Sequence, residues 1–261
     1  MPHDLRSVRT RDLLGMFWRS FFIQASWSYD RMQSLGFSFA MIPVVRRLYP
    51  DPRECSTRLA LHAEYFNTQP YLASFVLGAT ARAEEERASG EPSGIDVTEL
   101  KKTLMAPLGA LGDSFFWGSL KPFSSAVAVA LALAGVWWAP LVFLVLFNVG
   151  HVGMRLGLIF LGYASGGDVV AFITRYNITK LSRLFKTLSL SLIGGIAGAL
   201  LLWRSEFRAA IQLPAPLMTV GGLVMVLGMT ALYRRGVSPV KMMLGLAAAC
   251  LALVYGGFVE P

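Results

Sequence analysis

The chain has 261 residues, 54% hydrophobic and 15% charged, and its 24 Lys and Arg against 16 Asp and Glu give a net charge of +8. Soluble domains carry about 25% charged residues, so the composition excludes an ordinary soluble domain and predicts an integral membrane protein. The basic residues flank apolar segments, as positive-inside topology requires, and no nucleic-acid partner is expected.

Residues 1–10 are polar, and a helix is predicted from Arg11 with Thr10 as its N-cap. Leu13, Leu14, Phe17, Phe21 and Phe22 recur at helical spacing, but Asp12 and Arg19 interrupt them, which fits an amphipathic or re-entrant segment. A polar cluster follows, made of Gln24, Ser26, Ser28, Asp30, Arg31 and Gln33. Apolar residues 32–45 come next, so 13–45 reads as a helical hairpin with a polar tip, dipping into the bilayer or lying on it. Pro50 and Pro52 end one element, and Ser56 or Thr57 is expected to cap the next, through about Phe66. Asn67-Thr68-Gln69-Pro70 reads either as a capped turn or as a set of uncharged donors and acceptors suited to sugar hydroxyls. The run Glu84-Glu85-Glu86 is expected to be a solvated helix end, and residues 88–98 a loop.

Residues 104–122 hold Gly109, Gly112, Gly118, Pro107 and Pro122, with one acid at Asp113 and the aromatics Phe115, Phe116 and Trp117. Glycine allows close backbone approach and proline punctuates helices. The stretch is expected to be a bend: an interfacial loop with an aromatic anchor, or a broken helix of the kind that lines transporter sites. From Phe123 to Tyr163 there is no Asp, Glu or Lys, and Arg155 is the one cation besides His151. That length suits two spans of about 20 residues, breaking at Pro140 or Gly150. His151 and Arg155, one helical turn apart, are a functional candidate or an interfacial pair.

The polar segment 164–186 carries Arg175, Lys180, Arg183 and Lys186 against Asp168. Apolar stretches follow at 187–203, 214–233 and 240–259, separated by a loop at 204–213 and by Arg234, Arg235 and Lys241. If each stretch crosses, the two basic loops share the cytoplasmic side. The N-terminal region is then cytoplasmic and the C-terminus outside. Three regions are expected: 1–103, with the hairpin and cytoplasmic-side helices; 104–122, the glycine-rich bend; and 123–261, the transmembrane region. The fold class is mainly α, a polytopic membrane protein with re-entrant helical hairpins.

Motifs for phosphate loops, zinc hydrolases, CxxC redox sites and serine nucleophiles are absent. Cys55 and Cys250 lie far apart, and the three histidines have no metal-ligand spacing. No catalytic residue, metal or cofactor is expected, and no cleavable signal peptide is read.

Six motifs stand in one order: QASWSYDRMQSLGF (24–37), RRLYP (46–50), HAEYFNTQP (62–70), EEERASG (84–90), LMAPLGALGDSFFWGSLKP (104–122) and FNVGHVGMR (147–155). On these the chain resembles the IID subunit of the mannose/fructose/sorbose family of the bacterial phosphoenolpyruvate-dependent sugar phosphotransferase system. The resemblance departs at Ser114, where the family carries Pro, and at Lys121, where it carries Arg and its bidentate fork. It implies a IIC membrane partner, cytoplasmic IIA and IIB phosphocarriers, and a trimer of IIC–IID pairs in the bacterial inner membrane. It also implies a sugar of the mannose/fructose/sorbose type, moved as IIB phosphorylates it. The site residues expected are Asn67, Gln69 and Asp113, with Gln24, Asp30 and Arg31 behind them and Trp117 stacking on a sugar face or packing structurally. The rival expectation is a non-transporting structural or regulatory partner of IIC.

Overall fold

The structure is a computed structural model that describes residues 7–90, 96–166, 168, 177–203 and 215–256. The expected loop at 204–213 and Arg175 lie outside the described residues. The protein is mainly α, and among the described residues extended pairing is confined to two isolated bridges at Met32.

Helices α1 (Thr10–Ser20) and α2 (Ser34–Leu48) form the N-terminal hairpin. Leu13, Met16 and Phe17 of α1 and Phe37, Met41 and Val44 of α2 are buried in one core. Helix α3 (Pro52–His62) starts earlier than Ser56: Asp51 caps it by accepting from Glu54 N. The proline at its first position needs no N–H partner there, so the cap moves upstream to Asp51. Helix α4 (Ala73–Ser89) is buried on nearly every side and ends on Gly90 in the left-handed region, φ 76°.

The bend expected at 104–122 is helical from end to end. Helix α5 (Val97–Gly112) runs into a π-helix (Asp113–Leu120) and on into α6 (Lys121–Leu133). The ladder widens there: Lys121 N donates to Phe116 O, five residues back. Pro122 has no N–H, so a normal ladder would break one residue later. Ser119 Oγ also donates five residues back, to Ser114 O at 2.7 Å. Glycine and proline therefore mark a change of helical pitch rather than a loop.

Residues 134–138 turn the chain, with Gly135 at φ 83°. Helix α7 (Ala139–Ser165) follows unbroken through Gly150. It crosses α4 at very short range: a Cβ on Gly78 would stand 2.1 Å from Ile159 O, and one on Gly162 the same distance from Phe75 O. Arg155 of α7 is buried, and its guanidinium donates to the carbonyl and hydroxyl of Ser20 at the end of α1. A cation there meets the negative end of α1.

Helix α8 (Ile178–Trp203) takes in the basic residues Lys180, Arg183 and Lys186, which the sequence placed in a loop. The chain divides into two compact units, Met1–Ser189 and Leu190–Pro261. In the second, α9 (Ala215–Arg234) and α10 (Pro239–Tyr255) expose apolar side chains such as Leu223, Val224, Met243 and Leu244. Among the described residues three helical stretches are long and apolar enough to cross a membrane: Val97–Leu133, Ala139–Ser165 and Ile178–Leu200.

Candidate functional site

The segment 63–70 has no regular structure of its own, so its backbone groups need partners elsewhere. Gln33 N donates to Phe66 O at 2.9 Å, and Phe66 N donates to Arg31 O at 3.4 Å. The Gln33 side chain continues the pairing: its Nε2 donates to Thr68 O at 2.7 Å, and its Oε1 accepts from Thr68 N at 3.3 Å. From the other side, α5 holds the segment through its Met105 carbonyl, which accepts from Thr68 Oγ1 at 2.9 Å. Lys101 Nζ reaches His62 O at 3.4 Å and lies over the Phe37 ring, 5.0 Å from its centroid.

Between this segment and the face of α5 is a cavity of about 620 Å³. Gln24, Gln33, Asn67, Thr68, Gln69, Lys102 and Asp113 supply its polar lining, and Tyr65 and Trp117 its aromatic lining. Of the seven residues expected at a site, the structure brings five to this cavity: Gln24, Asn67, Gln69, Asp113 and Trp117. Asp30 and Arg31 are exposed on the hairpin tip and do not line it. Among the described residues the Asn67 and Asp113 side chains make no hydrogen bond or ion pair, and both are exposed. Trp117 presents its ring beside Tyr71, centroids 5.8 Å apart, with Lys121 Nζ 5.2 Å from the ring.

Gln69 is less free. Its Oε1 accepts from Tyr71 N at 2.8 Å and Leu72 N at 3.0 Å, closing the turn into α4. Its Nε2 is buried with no partner among the described residues. The two readings of Asn67 to Pro70 thus fall on one side chain, with the carbonyl taken by the turn and a donor left over.

Sequence reasoning passed over Gln33, Thr68, Tyr65 and Lys102 as site residues. Gln33 stood in the polar cluster already noted, but its amide pairing with Thr68, 35 residues away, leaves no local mark.

The expected solvated acid Glu84 is fully buried. Arg58 donates to both its oxygens, with Nε at 3.1 Å, and Tyr49 Oη donates at 2.6 Å. His62 Nε2 stands 3.1 Å from Glu84 Oε1 without the alignment of a hydrogen bond. Burial alone raises a carboxyl pKa, but the His62, Arg58 and Tyr49 interactions outweigh it and hold Glu84 down at about 2. Burial lowers the His62 pKa, favouring the neutral ring. Glu85, next in the run, accepts from Val8 N at 2.7 Å and from Tyr163 Oη. Among the described residues no group of three or more His, Cys, Asp or Glu is placed to hold a metal ion.

The cavity therefore offers amide, carboxylate and ammonium groups and two aromatic side chains, with no nucleophile paired to a base among the described residues. Such a set suits recognition of a polyhydroxylated molecule.

Residues 7–259 match the family model described as the PTS system mannose/fructose/sorbose family IID component. Among similar proteins, the PTS system mannose-specific EIID component of Escherichia coli K12 is 38% identical over 193 residues, 73% of this chain and 68% of that protein. The PTS system sorbose-specific EIID component of Klebsiella pneumoniae is 35% identical, over 73% of this chain and 70% of its own. A cryo-EM structure of the mannose transporter ManYZ in complex with a microcin contains a chain 29% identical to this one. The match has a TM-score of 0.59 and covers 98% of this chain and 99% of that one. A second solved membrane protein, 30% identical, matches with a TM-score of 0.71 over 98% of this chain. The buried hairpin, the long apolar helices and these matches make the chain an α-helical membrane protein, and it belongs to the IID components of the mannose/fructose/sorbose family of phosphotransferase-system permeases.

Proposed function

We propose that this chain works with a IIC membrane subunit to carry a hexose of the mannose/fructose/sorbose type across the bacterial inner membrane, while IIB phosphorylates the sugar. The chain itself transfers no phosphoryl group; IIA and IIB carry it. The assembly is a trimer of IIC–IID pairs. The observation that carries this reading is the gathering of Gln24, Asn67, Gln69, Asp113 and Trp117 around one cavity. Among the described residues the Asn67 and Asp113 side chains have no partner, so their donors and acceptors are available to hydroxyls. Trp117 offers a face for the apolar side of a sugar ring, and Gln69 Nε2, closed off in this state, becomes available to it as the bundles move. The π-helix that carries Asp113 and Trp117 is a natural place for a change of pitch as one bundle moves against another.

The basic residues set the orientation. Lys180, Arg183 and Lys186 at the start of α8 lie on the cytoplasmic side, as do Arg234 at the end of α9, Arg235 after it and Lys241 in the first turn of α10. That puts the N-terminal region inside and the C-terminus outside.

The test is uptake of radiolabelled mannose, fructose and sorbose by cells expressing the IIC, IIA and IIB subunits with and without this chain. Uptake and sugar phosphate that depend on this chain support the proposal. An intact complex that moves none of the three sugars contradicts it and favours a structural or regulatory role.

A further inference from the structure

The outer surface of the N-terminal hairpin has a pattern that the sugar path does not use. On α1 and the turn after it, Arg11, Leu14, Trp18 and Phe22 recur every three or four residues and all are exposed. On α2, Leu35, Phe39 and Arg46, four and then seven residues apart, are exposed on one face as well. Residues at this spacing form a single stripe on a helix. The helices run antiparallel: Gly15 of α1 lies against Pro43 of α2, and the Phe22 and Phe39 rings meet at 6.1 Å. Both stripes therefore run from aromatic side chains at the closed end to an arginine at the open end. There Arg11, Arg46 and Arg47 surround a cavity of about 390 Å³, with Asp12, Pro43 and Pro50 completing its wall.

Charge at this cavity is unbalanced. Asp12 is its one acid among the described residues, and Asp12 Oδ2 is engaged by Arg47 Nε at 3.1 Å and by Arg9 N at 3.0 Å. Arg11 Nε is 4.0 Å from Asp12 Oδ1 with its side chain 68% exposed, and Arg46 makes no ion pair among the described residues. Among the described residues two guanidiniums are left with donors and no full counter-charge. Guanidinium binds phosphate oxygens through paired donors.

We propose that the open end of the hairpin is a binding site for an anionic phospholipid. The phosphate headgroup is held between Arg11 and Arg46, and an acyl chain lies along the Leu14–Trp18–Phe22 and Leu35–Phe39 stripes. The eleven residues of α1 extend about 16 Å, close to the roughly 15 Å of one leaflet's hydrocarbon. Headgroup and chain are thus matched together, which neither a soluble anion nor a protein phosphate would do. On the orientation proposed above the site faces the cytoplasmic leaflet, where a negative surface attracts basic residues.

The experiment is native mass spectrometry of the full chain purified with its membrane partner, after exposure to phosphatidylglycerol, phosphatidylethanolamine or inorganic phosphate. The parent complex is expected to retain phosphatidylglycerol in preference to the other two. Arg11→Gln with Arg46→Gln should reduce that retention by roughly fivefold per arginine, about twenty-five-fold for the pair. Both side chains are exposed, so the fold should persist, and Arg11→Lys with Arg46→Lys, which keep the charge but lose the paired donors, should fall between the parent and the Gln pair. Equal retention of the two lipids, or retention unchanged by the Gln pair, overturns the proposal. So does inorganic phosphate that displaces phosphatidylglycerol. Unchanged lipid retention with slowed phosphoryl transfer from IIB overturns it in favour of protein docking. The readout needs no sugar, so it stands or falls apart from the transport assignment.

Discussion

Gly112 lies directly beneath Gln69: a Cβ at residue 112 would stand 2.6 Å from Gln69 Cβ and 2.7 Å from its Cγ. The helix that carries Asp113 and Trp117 thus approaches the 63–70 segment only because residue 112 has no side chain. Gly112→Ala is expected to push the two apart and cost about 1–3 kcal/mol by overpacking. Gly153→Ala, on α7 with open space around it, should cost nothing. Thermal denaturation of the purified complex checks both, and equal midpoints for the two variants would remove the constraint.

Gln69 is expected to separate turn formation from ligand contact. Gln69→Glu keeps an oxygen for the N–H groups of Tyr71 and Leu72 and loses the Nε2 donor. It should leave the complex assembled and lower sugar uptake severalfold, since one donor is worth about 0.5–1.5 kcal/mol. Gln69→Met removes the turn acceptor as well, and should reduce the amount of folded protein. The comparison is uptake per assembled complex, and full uptake by the Glu variant would exclude Nε2 from the path.

Glu84 is expected to be needed for stability although it lies in a run of acids. Removing one member of a buried ion pair costs about 3–5 kcal/mol, so Glu84→Gln should lower the melting temperature far more than Glu86→Gln. Glu86 pairs with Arg82 at 2.7 Å on a partly exposed face. Similar melting temperatures for the two variants would contradict the buried hub.

The same hub sets a pH dependence. The Glu84 pKa is depressed from 4.5 to about 2, so its contribution is full above 4.5 and is lost as pH falls toward 2. His62 is also depressed, below 6.5, so the unfolded chain takes up its proton first and stability begins to fall below pH 6.5. Melting temperature should therefore decline on acidification in two stages, and His62→Gln should flatten the first. A profile of that variant identical to the parent's would show that His62 contributes nothing.

Local signals in the sequence made the hairpin legible. Leu13 and Phe17 fall at helical spacing and are buried as that spacing requires. The polar words around Asn67 and Asp113 also stood out, because amides, glycines and a lone acid are unusual beside an apolar run. Glu84 was not legible. Its partners Arg58 and Tyr49 are 26 and 35 residues away, and three adjacent glutamates look alike until one turns inward. The π-helix was read as a bend because glycine and proline mark any departure from a regular ladder without saying which. Only tertiary contacts, such as Gly112 against Gln69, decide that the chain stays helical.

The central claim is that the cavity on α5 forms part of a sugar path. The measurement that tests it most directly is uptake of radiolabelled mannose, fructose and sorbose by cells carrying the whole complex with Asn67→Ala or Asp113→Asn. Co-purification of the membrane subunits confirms assembly. Both variants should assemble intact with uptake of the transported sugar reduced about tenfold or more, as expected when polar contacts worth about 1–3 kcal/mol are removed. Normal uptake by both variants would contradict it and move the sugar path away from this cavity.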